Sequence, residues 1–174
     1  MRSPLAFVAL GALVLALAAP AAASREARAV RLQGLSAAVL AQMNAVRRAH
    51  GLAPLRSSSP LAAAATQHSG EMARVGYFSH NSADGSSFWR RVIRFYSRGR
   101  YRYWAVGENL LWSSPDVGAA AAVRMWMQSP EHRANLLGRR WREVGVSAVH
   151  VDSAPGVYGG RAVTIVTADF GVRR

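Results

Sequence analysis

The stretch "EVGVSAVHVDSAPGVYGGRAVTIVTADFG", Glu143 to Gly171, reads as two strands and the loop that joins them. "EVGVSAVHV" alternates imperfectly through Val144, Val146, Ala148 and Val149, and "RAVTIVTADF" is rich in β-branched residues, which suit a pleated surface. "DSAPGVYGG" between them carries the Pro and Gly of a hairpin-like connection. Everything before Glu143 that shows a period shows the other one. Helices first and strands late, with no βαβ alternation and no internal repeat, predict an α+β fold rather than a doubly wound sheet.

Working back from that point, "SPEHRANLL" at Ser129–Leu137 opens like a helix: Ser129 suits the N-cap, Pro130 the first turn, and Glu131 the positive end of the helix dipole. "SSPDVGAAAAVRMWMQ" repeats the pattern, with Ser114 as expected N-cap and Pro115 and Asp116 in the first turn. "SSFWRRVIRFYSR" predicts a helix with Phe88, Val92, Phe95 and Tyr96 on one face and arginines opposite. The rest of Tyr77 to Trp112 has no clear period. Further back, Pro60 follows serines that can cap a helix running to Gly76, and Leu35, Val39, Leu40, Met43 and Val46 mark the apolar face of a first helix stopped by Gly51.

The N-terminus has a different character. After Arg2 and Ser3 comes "PLAFVALGALVLALAAPAAAS", an apolar run of about 15 residues ending in small side chains, the pattern of an export signal cleaved after Ala23. Residues 24–34 read as a tether, leaving 35–174 as one domain. An export signal implies a secreted or envelope location, and no later segment has the length of a membrane span. The chain has no cysteine, which excludes disulfides, a lipid-modified cysteine and thiol catalysis. Its 22 basic residues are all arginine against nine acids, so the formal charge of +13 drops by only one when Arg2 leaves with the signal. Such a charge attracts acidic envelope polymers and anionic head groups, and export makes nucleic acid a less accessible partner.

Four stretches in order, "MNAVRRAHGLAPL", "GYFSH", "VGENLLW" and "WMQSPEHRANLLGRRWREVGV", with a closing "VTADFG", resemble the CAP superfamily of cysteine-rich secretory, antigen 5 and pathogenesis-related 1 proteins, in particular a cysteine-free bacterial branch. The resemblance spans roughly Leu35 to Gly171. It implies an α-β-α sandwich with a small antiparallel sheet between helical layers, and a cleft in which family members usually place two histidines and two glutamates. By motif these positions are His80, Glu108 and His132. The second glutamate falls on Ser129, a departure that Gln128 or Glu131 would have to offset.

What the resemblance implies about chemistry is a choice. Two imidazoles and a carboxylate converging on a cleft can hold Zn²⁺ with water completing the shell. The same groups can equally brace the loops by hydrogen bonding one another. Separations of 28 and 24 residues are not themselves metal-ligand spacings, and there is no H-E-x-x-H motif. His68 and Glu71 share a helix face and form a local pair. His50 suits the negative end of the first helix, and His150 belongs to a strand. Ser79, Ser82, Ser113 and Ser129 lie near the cleft motifs, but no G-x-S-x-G context marks a nucleophile. "FWRRVIRFYSRGRYRYW", Phe88–Trp104, interleaves six arginines with seven aromatic residues, so Arg90, Arg91, Arg94 and Arg98 are candidate contacts to a polyanion. Three functions follow: a binding protein for lipid or an anionic envelope component, a metal-assisted hydrolase of envelope material, and a polyanion-binding module. The sequence leaves enzymatic activity open.

Overall fold

The computed structural model describes residues 29–174, so the export signal and residues 24–28 of the expected tether lie outside the described residues. The remainder of that tether is part of the domain: Val30–Arg31 form a short strand, β1, and the first helix, α1, already starts at Gln33 and runs to Ala49. There follow β2 (Arg56–Ser57), α2 (Ser59–Val75), α3 (Phe88–Phe95), β3 (Trp104–Ser113), α4 (Ala119–Gln128), α5 (Pro130–Leu136), β4 (Glu143–Val151) and β5 (Val163–Arg173), the last two joined through a 3-10 turn at Gly156–Tyr158. The sheet order is β1-β4-β5-β3, antiparallel throughout, with β2 added parallel to the outer edge of β4.

Both faces of the sheet are covered, which explains why β5 is buried along nearly its whole length. On one face Val144, Ala148, Val166, Ala168 and Phe170 pack with Val39 and Met43 of α1 and Val123 and Trp126 of α4. On the other, Val149, Val151, Val163 and Ile165 meet Met72 and Ala73 of α2. The layering is helix, sheet, helix. Gly145 lets the first turn of α2 lie directly on β4, since a Cβ there would stand 1.9 Å from the Ala62 nitrogen. Buried Arg47 of α1 reaches across the domain to the carbonyls of Leu136 (2.8 Å) and Gly138 (3.1 Å), placing a cation at the carbonyl end of α5.

Three expectations need correction. β3 was hidden because Gly107, Glu108 and Asn109 break its apolar alternation, yet it pairs with β5 along its whole length, from Trp104 opposite Arg173 to Ser113 opposite Thr164. Ser114 does not cap α4: its hydroxyl donates to the Ala162 carbonyl (2.8 Å), tying the end of β3 to the approach to β5, and Gly118 stands at the helix start. The apolar face of α3 is also not the one drawn from the sequence. Val92 and Tyr96 are buried and Phe88 half-buried, but Phe95 is exposed and Arg91 goes inside with Val92.

Candidate functional site

The loop that carries His80 is fastened to α2. Gly76, in the left-handed conformation at φ 84°, ends that helix, and His68, fully buried, donates its Nε2–H to the Ser79 carbonyl at 2.8 Å. Tyr77 donates its hydroxyl to Glu71, which also accepts the Ala83 N–H at 3.3 Å and lies 3.9 Å from the His68 Nδ1. His68 and Glu71 thus meet through Tyr77 and not as an ion pair. Burial, with help from the nearby Arg91 charge, pushes the His68 imidazole down to about 3, so it is neutral at neutral pH.

Glu108 lies at the centre of the site, on β3 and 4% exposed. Its Oε1 accepts the Nδ1–H of His80 at 2.8 Å, and its Oε2 accepts from the guanidinium of Arg91, itself 1% exposed. Arg91 also donates to the His80 carbonyl (3.3 Å) and the Ser82 hydroxyl (3.2 Å), so a single side chain braces both the carboxylate and the loop. Arg91 is therefore not a surface contact for a polyanion. The His80 side chain stays 52% exposed, and with Nδ1 on Glu108 its Nε2 is left for the cleft. Burial and the Arg91 charge hold this imidazole below its ordinary range, against the pull of Asp169 and Glu131.

Asp169 went unnoticed in the sequence. It sits directly opposite Glu108 in the β3–β5 register, is completely buried, and neither of its oxygens meets an N–H or O–H donor. Two adjacent buried carboxylates facing one guanidinium are satisfied by one shared proton. Glu108 has the two donors, so the charge belongs there and the proton on Asp169. Burial pushes Glu108 up to about 7 despite Arg91, and pushes Asp169 well above the usual carboxylate range, with the Glu108 charge adding to it.

His132 is delivered from the other side by α5. Asn109, the neighbour of Glu108 on β3 and fully buried, donates to the His132 carbonyl at 2.9 Å. Asn135 donates to the Glu108 carbonyl and to the Asn109 side-chain oxygen, both at 3.1 Å. These two asparagines lie inside the motifs "GENL" and "HRANLL" and are the positioning residues that reading for histidines and glutamates passes over. His132 is half-buried, and burial together with the charge of nearby His80 keeps its imidazole below the ordinary value. The structure thus brings His80 and His132 within each other's field, with Glu108 beneath His80.

The remaining candidates fall away from this centre. Ser129 stands at the start of α5, its carbonyl accepting the Arg133 N–H at 2.8 Å, and its side chain makes no cap bond. Glu131 is in the first turn of α5, as expected, and acts on His80 and His132 only through its field. Gln128 is exposed and lines a separate shallow depression of about 380 Å³ with Met127, Pro130 and Arg133. Among the described residues neither side chain hydrogen-bonds His80, Glu108 or His132. Among Ser79, Ser82, Ser113 and Ser129, none hydrogen-bonds a histidine through its hydroxyl among the described residues.

The donor set does not fit the metal centre drawn from His80, Glu108 and His132. Both Glu108 oxygens already accept hydrogen bonds, one from a buried guanidinium that a metal ion would have to displace or repel, so Glu108 is not free to act as a ligand, while His80 keeps Nε2, the one nitrogen an imidazole ligand uses. Among the described residues no three His, Asp or Glu side chains are grouped to hold a metal ion. The arginine-rich stretch has a distinct geometry. Arg90, Arg94 and Arg98 are exposed beside Trp89 (43% exposed), Phe95, Tyr101 and Tyr103. Arg90 lies 5.4 Å from the Trp89 ring, and Arg173 lies over Tyr96 at 3.9 Å.

The sequence profile of the CAP, cysteine-rich secretory protein family matches residues 40–170. The chain is 34% identical over 108 residues to the uncharacterized membrane protein YlbC of Bacillus subtilis (strain 168), covering 62% of this chain and 30% of that protein. It is similar in structure to an extracellular protein containing a SCP domain from Bacillus anthracis str. Ames, at 27% identity and a TM-score of 0.62, over 82% of this chain and 41% of that one. An outer surface protein from Borrelia burgdorferi shares the fold, with a TM-score of 0.66 at 14% identity over 85% of this chain and 99% of that one. The chain thus spans well under half the length of the Bacillus proteins it matches.

Proposed function

The chain belongs to the CAP family, although it contains no cysteine, and from that premise we propose that it works outside the cytoplasm as a non-enzymatic binding protein, taking a lipid or anionic envelope component in the cleft of His80, Glu108 and His132. One observation carries this reading: the buried Arg91–Glu108 pair fixes the His80 imidazole by Nδ1 and turns Nε2 outward. An imidazole so held is a hydrogen-bonding group of set direction over a floor whose charges cancel, which suits recognition of a carboxyl, phosphate or hydroxyl head group. It suits hydrolysis less well, since among the described residues no serine hydroxyl hydrogen-bonds the imidazole and both Glu108 oxygens are already engaged. The extracellular location is supported by the hydrophobic N-terminus and by similarity to the extracellular Bacillus anthracis protein.

The exposed arginines and aromatic rings favour a second, compatible reading, in which Arg90, Arg94 and Arg98 hold the protein to an anionic surface. Imidazole ¹H–¹⁵N spectra separate the two. Palmitate and phosphatidylglycerol vesicles are titrated into the protein at low and high salt. Cleft binding shifts the His80 and His132 resonances and is lost in a His80→Ala, His132→Ala variant. Surface binding leaves those resonances in place and weakens steeply with salt. No response to either probe overturns both readings.

A further inference from the structure

A second cavity, of about 480 Å³, shares no lining residue with the cleft of His80 and His132 and lies at the outer edge of β4 between α1 and α2. Its origin is a gap in strand pairing. β1 covers one end of the β4 edge, with the Leu32 N–H on the Ala148 carbonyl at 2.9 Å, and β2 leads into the other, with the Ser58 N–H on the Val144 carbonyl at 2.9 Å. Alternate residues of a strand turn their N–H and C=O to the same side, so Val146, midway between these two, faces outward as they do. Neither β1 nor β2 reaches it, and among the described residues no side chain or backbone group bonds its N–H or C=O. The Ala148 N–H would share this lack, but the Ser36 hydroxyl accepts it at 2.9 Å.

The walls specify what would fit. Ala37 and Leu40 of α1 and Ala62 of α2 are small or apolar, and Val146 itself is only half-buried. Next to it Ser147, also part of the lining, is 2% exposed and its hydroxyl has no hydrogen-bond partner, an unusual state for a buried polar group. Arg31 stands at the rim, exposed and with no carboxylate partner among the described residues. An unpaired strand-edge N–H and C=O beside each other form the bonds of one residue of an added strand. The cation at the rim calls for a negative end.

We propose that this groove binds the C-terminal end of an extended peptide, one of its residues pairing with the Val146 N–H and C=O between β1 and β2 and its terminal carboxylate meeting Arg31. The room along β4 limits the strand-like contact to a single residue, and the small lining residues favour short side chains. This site contains none of the residues of the His80 cleft, so it stands or falls independently of that cleft's function.

The test is an NMR titration of the ¹⁵N-labelled protein with N-acetyl-alanyl-alanine and with its methyl ester. Proline is tolerated where an edge N–H has no partner, so Val146→Pro removes the proposed donor without removing a bond of the fold. The expected result is a saturable shift of the Val146 amide, weaker binding of the ester, and at least tenfold weaker binding to Val146→Pro. Should that variant fail to fold, Arg31→Gln at the exposed rim should bind acid and ester alike. Absence of a saturable shift at Val146, an undiminished affinity in folded Val146→Pro, or a preference for the acid that survives Arg31→Gln would each overturn the proposal.

Discussion

Glu108 and Asp169 face each other across two strands, and replacing each by its amide should have opposite consequences. Glu108→Gln removes the one carboxylate that Arg91 meets among the described residues, leaving a guanidinium 1% exposed without a counter-charge. Breaking one side of a buried ion pair in this way costs about 3–5 kcal/mol, a large part of the 5–15 kcal/mol that holds a typical domain together. Asp169→Asn replaces a group already neutral by a neutral one of nearly the same shape, and its amide can donate to Glu108 as the carboxylic acid does. That change should cost about 1 kcal/mol or less, the worth of one hydrogen bond. Both carboxyls are raised above their unfolded values, so the folded state holds the extra proton, and stability should fall as pH rises from the ordinary carboxylate range through about 7. Asp169→Asn should flatten that decline. Urea denaturation at a series of pH values, with the slope checked for constancy, measures all three effects. Equal losses from the two amides at neutral pH, or a decline as steep in Asp169→Asn as in the parent chain, would refute the assignment of charge to Glu108 and proton to Asp169; a shallower decline that remains is the share of Glu108 itself.

Other expectations are simpler. Gly145→Ala should destabilise by at least the 1–3 kcal/mol of about one overpacked methyl group, because the new carbon meets the backbone of α2 and not a movable side chain; the midpoint of thermal melting checks this. His68, pushed down to about 3, resists protonation in the fold but not in the unfolded chain, so its contribution is complete above the unfolded value near 6.5 and is lost as pH falls. By pH 5 the loss should be about 2 kcal/mol, read most cleanly from urea melts in an Asp169→Asn background where the opposing carboxyl effect is reduced. Replacing Arg90, Arg94 and Arg98 by Gln should weaken binding to anionic vesicles and lessen its salt dependence while leaving stability nearly unchanged, whereas Arg91→Gln should unsettle the fold.

The helices α1 and α2 and the pair β4–β5 were legible because a single force, burial of one face or of both, wrote their periods. The start of α5 was legible for a different local reason: Pro130 and Glu131 suit the first turn of a helix, although Ser129 marks its start without a side-chain cap bond. β3 was not, because the residues that make it a functional strand, Gly107, Glu108 and Asn109, are those that spoil its period. Arg91 misled because a surface arginine and a buried one look alike until a buried carboxylate is found to meet it. Asp169 had a visible signal. An acidic residue within "VTIVTADF", a stretch otherwise free of charge, must be exposed, paired or protonated, and β5 is too deeply covered for the first. His80, Glu108 and His132 came from family resemblance, and only the three-dimensional pairing of β3 with β5 and the docking of α5 show how they are held.

The cleft is tested most directly by native mass spectrometry of the protein purified from its own host, compared with a His80→Ala, His132→Ala variant produced in the same way. A bound lipid or anionic envelope fragment on the wild-type chain, absent from the variant although the variant folds, is the predicted result. A wild-type chain of bare mass, or one whose bound molecule survives loss of both imidazoles, would contradict it.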